Sequence, residues 1–192
     1  MDLLDAHGAA MHVFDRTIHR VGADQWDAPT PCTDWTVRDL VNHLVNEQLW
    51  VPHLLGGATL AEVGDRFDGD LLGDDPIGAW EPAAAQARAA WTAPGATGTR
   101  VHVSFGQIDA SEYGWQMTMD LAVHGWDLAA AIGVPQPIGD ELAEALIAEF
   151  EPQVEGMQGY GIFAPPVSVS ADAPAPKRLL ALLGRDQDEW RN

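Results

Sequence analysis

The sequence predicts an all-α fold, and two observations carry that reading. Apolar residues recur at helical spacing in several long segments, each bounded by capping residues, glycine or proline. The one stretch that alternates apolar and polar residues, Arg100-Val101-His102-Val103-Ser104-Phe105-Gly106, is too short to anchor a sheet. It is expected to cross the end of a helical bundle as an extended arm, with Val101, Val103 and Phe105 on one side. A chain of 192 residues suits a single domain with a sizeable core.

The first helix is expected over about residues 2–22, where Leu4, Met11, Phe14, Ile18 and Val21 repeat and Gly22 follows as a stop. His7 lies near the inner stripe and reads as a buried, hydrogen-bonded histidine before it reads as a ligand. His12 and His19 fall on solvated sides. Two prolines then keep Ala28-Pro29-Thr30-Pro31-Cys32 extended. Thr36 and Asp39 have the spacing of a capping box, and Trp35 just before them is placed to staple onto the helix they open. That helix runs from about 36 to the neighbourhood of Pro52, with Val37, Leu40, Val41, Leu44 and Val51 as its stripe.

From about Leu55 to Asp75 the chain is rich in Gly and Asp, a long connection with a short helix near Leu60-Ala61-Glu62-Val63. The alternating ligands of an EF-hand are absent, which leaves calcium a minor reading. A loop of this length can instead lie over a site. Asp75-Pro76 marks a helix start, and the helix continues to about Thr92 before Pro94-Gly95. Asp109 and Glu112 again have capping-box spacing and open a helix from about 110 to 132, stopped by Gly133. A further helix follows Asp140 to about Phe150. The tail from Phe163 to Ser170 is extended, and Asp172-Ala173-Pro174 introduces a short helix that reaches Gly184.

Charge and cysteine usage narrow the function. With 29 acids against 10 bases the net charge is -19, which repels phosphate backbones and anionic membranes. Cys32 is the only cysteine, so no intrachain disulfide forms, as suits a reducing compartment. The acidic N-terminus lacks the basic flank and apolar run of a secretory signal, and no apolar run approaches membrane-spanning length. The expectation is a soluble cytoplasmic protein with neither nucleic-acid nor membrane partners.

The candidate site lies in Met119-Asp120-Leu121-Ala122-Val123-His124-Gly125-Trp126-Asp127. Asp120 and His124 fall one helical turn apart on one face, an oxygen and a nitrogen donor that can supply two corners of a divalent-metal site. His43 is the candidate third corner. The bland readings are a surface Asp–His pair and a satisfied core histidine. Glu47, one turn beyond His43, could join the site or be a solvated glutamate. Asp127 reads either as a partner of the ligands or as a helix-surface charge. Cys32 is most simply a small buried residue, since no base or cation adjoins it in sequence. Trp50, Trp80 and Trp190 are compatible with a core or with an interface, and therefore with a monomer or a homodimer.

Two motifs together carry a resemblance. Pro31-Cys32-x-x-Trp35-Thr36-Val37-x-Asp39-Leu40-x-x-His43-Leu44 is followed by Asp120-x-x-x-His124-x-Trp126-Asp127-Leu128-Ala129. This resembles the actinobacterial branch of the DinB-like metal-binding superfamily, related to the metal-binding domain of mycothiol-dependent maleylpyruvate isomerase. Pro165-Pro166 and Arg178-Leu179-Leu180-Ala181-Leu182-Leu183-Gly184-Arg185-Asp186 are similar to that branch too, so the resemblance runs over nearly the whole chain.

The resemblance implies an antiparallel four-helix bundle of up-down-down-up course with one long crossover, over about residues 1–133, and an extension over about 134–192 with short additional helices. It implies a divalent metal, zinc or nickel, on His43, Asp120 and His124, with an open position for a thiol. The activity it implies is transfer of a low-molecular-weight thiol of the mycothiol type to an electrophilic small molecule. A non-enzymatic metal-binding protein and a metal-dependent hydrolase are the alternatives. A fourth protein ligand, such as Glu47 or His7, would close the open position and favour the non-enzymatic reading. The related isomerases carry glutamate where this chain has Asp120. They also have a further C-terminal domain for which the residue count leaves no room, so maleylpyruvate isomerisation itself is not expected.

Overall fold

The computed structural model describes residues 1–154, 164–188 and 190. Four long helices form its centre: α1 (Leu3–Ile18), α2 (Val37–Leu55), α4 (Pro76–Trp91) and α5 (Ala110–Ala131), with the short α3 (Leu60–Val63) in the crossover. α6 (Asp140–Phe150) and α7 (Ala175–Leu182) follow. Among the described residues no helix is long and apolar enough to cross a membrane.

Contacts fix the direction of each helix. Gly114 lies against Leu3, and Gly125 against Val13 and Phe14, so α1 and α5 run parallel. Trp80 meets Phe14 and Asp15 while Arg88 meets Leu4 and His7, so α4 runs against α1. Val51 and Leu54 of α2 share a cluster with Ala110 and Tyr113, whereas His43 meets Asp120, so α2 runs against α5. The course is up-down-down-up, and the parallel pair α2 and α4 requires the long crossover through residues 56–75.

Local chemistry explains most boundaries. The Thr36–Asp39 capping box is closed, with Asp39 N–H donating to Thr36 Oγ1 (3.2 Å) and Thr36 N–H to Asp39 Oδ2 (2.9 Å). The Asp75 side chain caps α4 through Gly78 N–H at 2.9 Å, with Pro76 in the first turn. Other expectations are corrected. α1 ends at Ile18, short of the apolar repeat that continues to Val21. α2 carries Pro52 inside its last turn and runs on to Leu55, because Gly56 N–H still finds Pro52 O at 3.0 Å. Asp109 precedes α5 without capping it through its side chain, and its carboxylate lies 3.6 Å from Arg100 instead.

The expected extended arm is a β-hairpin: β1 (Arg100–Val103) pairs antiparallel with β2 (Gly106–Asp109), Val101 opposite Ile108. Ser104 and Phe105 form the connecting turn, so Phe105 leaves the apolar side and is exposed. Burial of Val101 against α2 and α5 stabilises a ribbon that would be marginal alone. The crossover is lashed to α2. Asn42 donates to Gly69 O (3.0 Å) and accepts from Leu71 N–H (2.8 Å), Asn46 donates to Phe67 O (2.7 Å), and Arg38 holds Asp70 (2.8 Å).

α7 buries Leu179 and Leu180, with Leu183 just beyond it, and packs on α6. The tail ahead of α7 is extended from Ala164 through Ser170, and Val167 N–H donates to Ala181 O at 2.8 Å. The expected start of that tail at Phe163 lies outside the described residues.

A methyl group at position 125 would lie 2.7 Å from Val13 Cγ1, and a valine has few rotamers into which to retreat. Gly125→Ala is expected to destabilise the fold by about 1–3 kcal/mol in urea denaturation, with unchanged helix content. His7 is buried against Trp91 and beside Arg88, and burial with the nearby guanidinium pushes its pKa down to about 3. Between the ordinary value of 6.5 and about 3, only the unfolded chain protonates this ring, so stability falls as pH falls across that window. His7→Phe is expected to flatten this fall by up to about 1.4 kcal/mol per pH unit in denaturant titrations.

Candidate metal centre

Helix α5 supplies most of the site. Asp120, His124 and Asp127 follow one another at helical spacing, so their side chains line one face. His43 reaches that face from the antiparallel α2. Its Nε2 lies 3.2 Å from Asp120 Oδ2, and His124 Nε2 lies 3.3 Å from Asp120 Oδ1. One ligand-capable atom from each of the three residues falls within 4.8 Å of the others. The residues singled out in sequence are thus brought together, across the separation between positions 43 and 120.

The loop before α2 forms a wall. Thr30 N–H donates to Trp35 O (3.1 Å) and Trp35 N–H to Cys32 O (3.0 Å), closing a tight turn. Asp34 takes φ 69° in it, the left-handed region that aspartate enters more readily than most residues. The turn lays the Trp35 ring against both imidazoles, 5.0 Å from His43 and 5.7 Å from His124 between centres. Trp35 therefore covers the site as well as preceding the helix.

Asp127 has no solvent exposure, which settles its two readings in favour of a partner for His124. His124 Nδ1–H donates to Asp127 Oδ2 at 2.9 Å, leaving Nε2 turned towards Asp120. Burial would lower the pKa of His124, but carboxylates at both nitrogens raise it well above its ordinary value. Burial opposes His43 in the same way, and Asp120 again outweighs it and raises the pKa. Burial would raise the pKa of Asp120, yet the two imidazoles hold its carboxyl well below the usual carboxylate range. Glu47 flanks the group, and burial together with the Asp120 charge pushes its pKa up to about 7.

Neither proposed fourth ligand joins the group among the described residues. His7 is engaged by Arg88, whose Nη1 lies 3.2 Å from His7 Nδ1, and Glu47 is absent from both clusters of ligand-capable atoms. The second of those clusters was not legible in sequence. Cys32 is only half-buried, and its S–H donates to Asp127 Oδ2 at 3.2 Å, with His124 Nδ1 at 3.6 Å and Arg185 Nη2 at 3.8 Å. The expectation that Cys32 lacks a neighbouring base or cation is corrected by this packing. Arg185 was missed as a site residue, since its contact with Asp127 joins residues 58 apart and leaves no mark in local spacing.

These side chains open into a cavity of about 770 Å³, lined among others by Cys32, Trp35, His43, Asp120, His124 and Arg185. Two imidazoles and a carboxylate in its lining form a donor set suited to a divalent ion with an open coordination position.

A bundle of this course is the DinB-like class of four-helix fold. The family model of the mycothiol maleylpyruvate isomerase N-terminal domain matches residues 7–129, and the chain belongs to that family. Two uncharacterized proteins of Mycobacterium tuberculosis, from strains CDC 1551 / Oshkosh and ATCC 25618 / H37Rv, are 34% identical over 192 residues, covering 96% of this chain and 98% of each relative. The crystal structures of the mycothiol-dependent maleylpyruvate isomerase and of a histidine-to-alanine mutant of it share the fold. They superpose with TM-scores of 0.59 and 0.60 at 18% identity, over 77% of this chain and 67% of the isomerase chain.

Asp120 is the shared acceptor of His43 and His124. In metal-free protein, Asp120→Asn is expected to drop the pKa of His43 and of His124, since burial then acts with less opposition. Titration of the ring nitrogens by NMR checks this. Unchanged values in the variant would mean that Asp120 does not hold the two rings charged.

Proposed function

We propose that this protein binds a divalent metal, zinc or nickel, through His43, Asp120 and His124, and transfers a low-molecular-weight thiol of the mycothiol type to an electrophilic small molecule in the cytoplasm. The observation that carries the reading is the convergence of three ligand-capable atoms within 4.8 Å in the lining of a cavity. The family supports it, since its model is that of a mycothiol-using isomerase domain. A bound divalent metal would lower the pKa of a coordinated thiol and keep a thiolate available near neutral pH.

The chain's own residues supply orientation and enclosure. His43 and His124 come from antiparallel helices, so the ligands are held by rigid elements and not by a loop. Asp120 is a methylene shorter than the glutamate of the related isomerases, and its two oxygens still reach the two histidines at 3.2 and 3.3 Å. Trp35 lies against both rings and lines the cavity with them. That cavity, about 770 Å³, is of the size of a small-molecule site.

Metal content by mass spectrometry, on untagged wild type and on His43→Ala, Asp120→Ala and His124→Ala, tests the reading. Near-stoichiometric metal in the wild type is expected, with loss from each folded variant. A folded wild type that stays empty after incubation with zinc and nickel would refute it. Turnover of electrophiles that proceeds without added thiol would assign water as the nucleophile and make the protein a hydrolase.

A further inference from the structure

We infer that Asp127 and Arg185 form a relay that positions His124, so that the C-terminal segment completes the metal centre. The inference rests on the reading of His43, Asp120 and His124 as metal ligands.

Asp127 is wholly removed from solvent, and donors from three parts of the chain converge on its carboxylate. His124 Nδ1–H reaches Oδ2 at 2.9 Å, Cys32 S–H reaches the same oxygen at 3.2 Å, and Arg185 grips both oxygens, Nη2 to Oδ2 at 3.0 Å and Nε to Oδ1 at 3.4 Å. A histidine that gives Nδ1–H to a fixed carboxylate has its tautomer and ring orientation set, with the Nε2 lone pair presented for coordination. Here the carboxylate is itself fixed by Arg185. A planar guanidinium that binds both oxygens resists rotation of the acid about its own bond, which a single point charge does not.

Arg185 is held in place by the fold of the extension. Its N–H donates to Leu180 O at 2.8 Å, and its Nη1 donates to Leu183 O at 3.0 Å. Gly184 just before it has φ 77°, and a Cβ there would collide with Ala164 O, so the segment at 164 is packed directly against this turn. Leu179, Leu180 and Leu183 anchor the turn in the core. The stretch matched by the family model ends at residue 129, so the relay joins a ligand helix inside that stretch to a residue outside it.

The test is zinc affinity, measured by competition with a chromophoric chelator, together with the visible spectrum of cobalt-substituted protein. Arg185→Gln is expected to weaken zinc about 10–100-fold and to change the cobalt spectrum, with lower stability but the helical fold retained. Arg185→Lys is expected to recover part of the loss. Arg178→Ala breaks an ion pair of the same extension with Glu144 and is expected to behave as wild type. If Arg185→Gln fails to fold, the double variant Asp127→Asn with Arg185→Gln removes both buried charges at once and is still expected to bind weakly. Wild-type affinity and spectrum in the folded Arg185→Gln or double variant would overturn the relay while leaving the three-ligand site standing. Equal weakening by Arg178→Ala would also overturn it, by showing general loosening of the extension. A wild type that binds no metal overturns the relay and the reading beneath it.

Discussion

Two carboxylates on one face of α5 govern the arrangement around them. An ionised acid withdrawn from water persists only where other donors replace the water. Asp127 has lost all exposure and Asp120 most of it, the side chain of Asp120 remaining 24% accessible. Each therefore draws donors inward. His43 crosses from α2 to Asp120, Arg185 comes from the turn after α7, Cys32 comes from the loop before α2, and His124 is pinned between the two acids. Removing either acid would leave donors without an acceptor, and removing a donor would expose an acid to its desolvation cost. The site is thus also a structural knot.

The rest of the fold keeps that face of α5 in register. Gly114 and Gly125 allow α1 to approach closely, and the Phe14–Trp80 contact at 4.6 Å ties α1 to α4. The crossover contributes in a way its composition hides. Its glycines and aspartates suggest a mobile loop, yet Asn42, Asn46 and Arg38 bind it along α2, next to the helical turn that carries His43. Rigid placement of this kind matters for a metal, since ligand positions that drift by a fraction of an ångström weaken coordination.

What could be read from sequence depended on how far apart the interacting groups lie. The Thr36–Asp39 box and the Asp75-Pro76 start are local and were legible, as was the pairing of Asp120 with His124 across one turn. The four-helix course followed from the family motifs, not from periodicity. Local rules failed where a distant partner intervened. Asp109 turns to Arg100 instead of capping α5, and the arm pairs into a hairpin because Val101 finds the core. Cys32 and Asp127 are 95 residues apart, and no spacing rule connects them. Arg185 was visible as part of a tail motif, but its role depends on where α7 docks.

The net charge of -19 invites the idea that the acidic surface itself retains a cation. Screening argues otherwise. At physiological ionic strength the field of exposed acids decays over about 8 Å, so the acids spread over the surface contribute little to affinity at a half-enclosed centre. Their effect is on encounter, by raising the local concentration of cations. Several bases are committed to particular partners: Arg38 to Asp70, Arg178 to Glu144, Lys177 to Asp188, Arg185 to Asp127. On the proposed function, retention of a metal would then rest on the donor geometry of His43, Asp120 and His124. The acid that most directly shapes that geometry is Asp127, which holds the His124 ring from the side opposite Asp120.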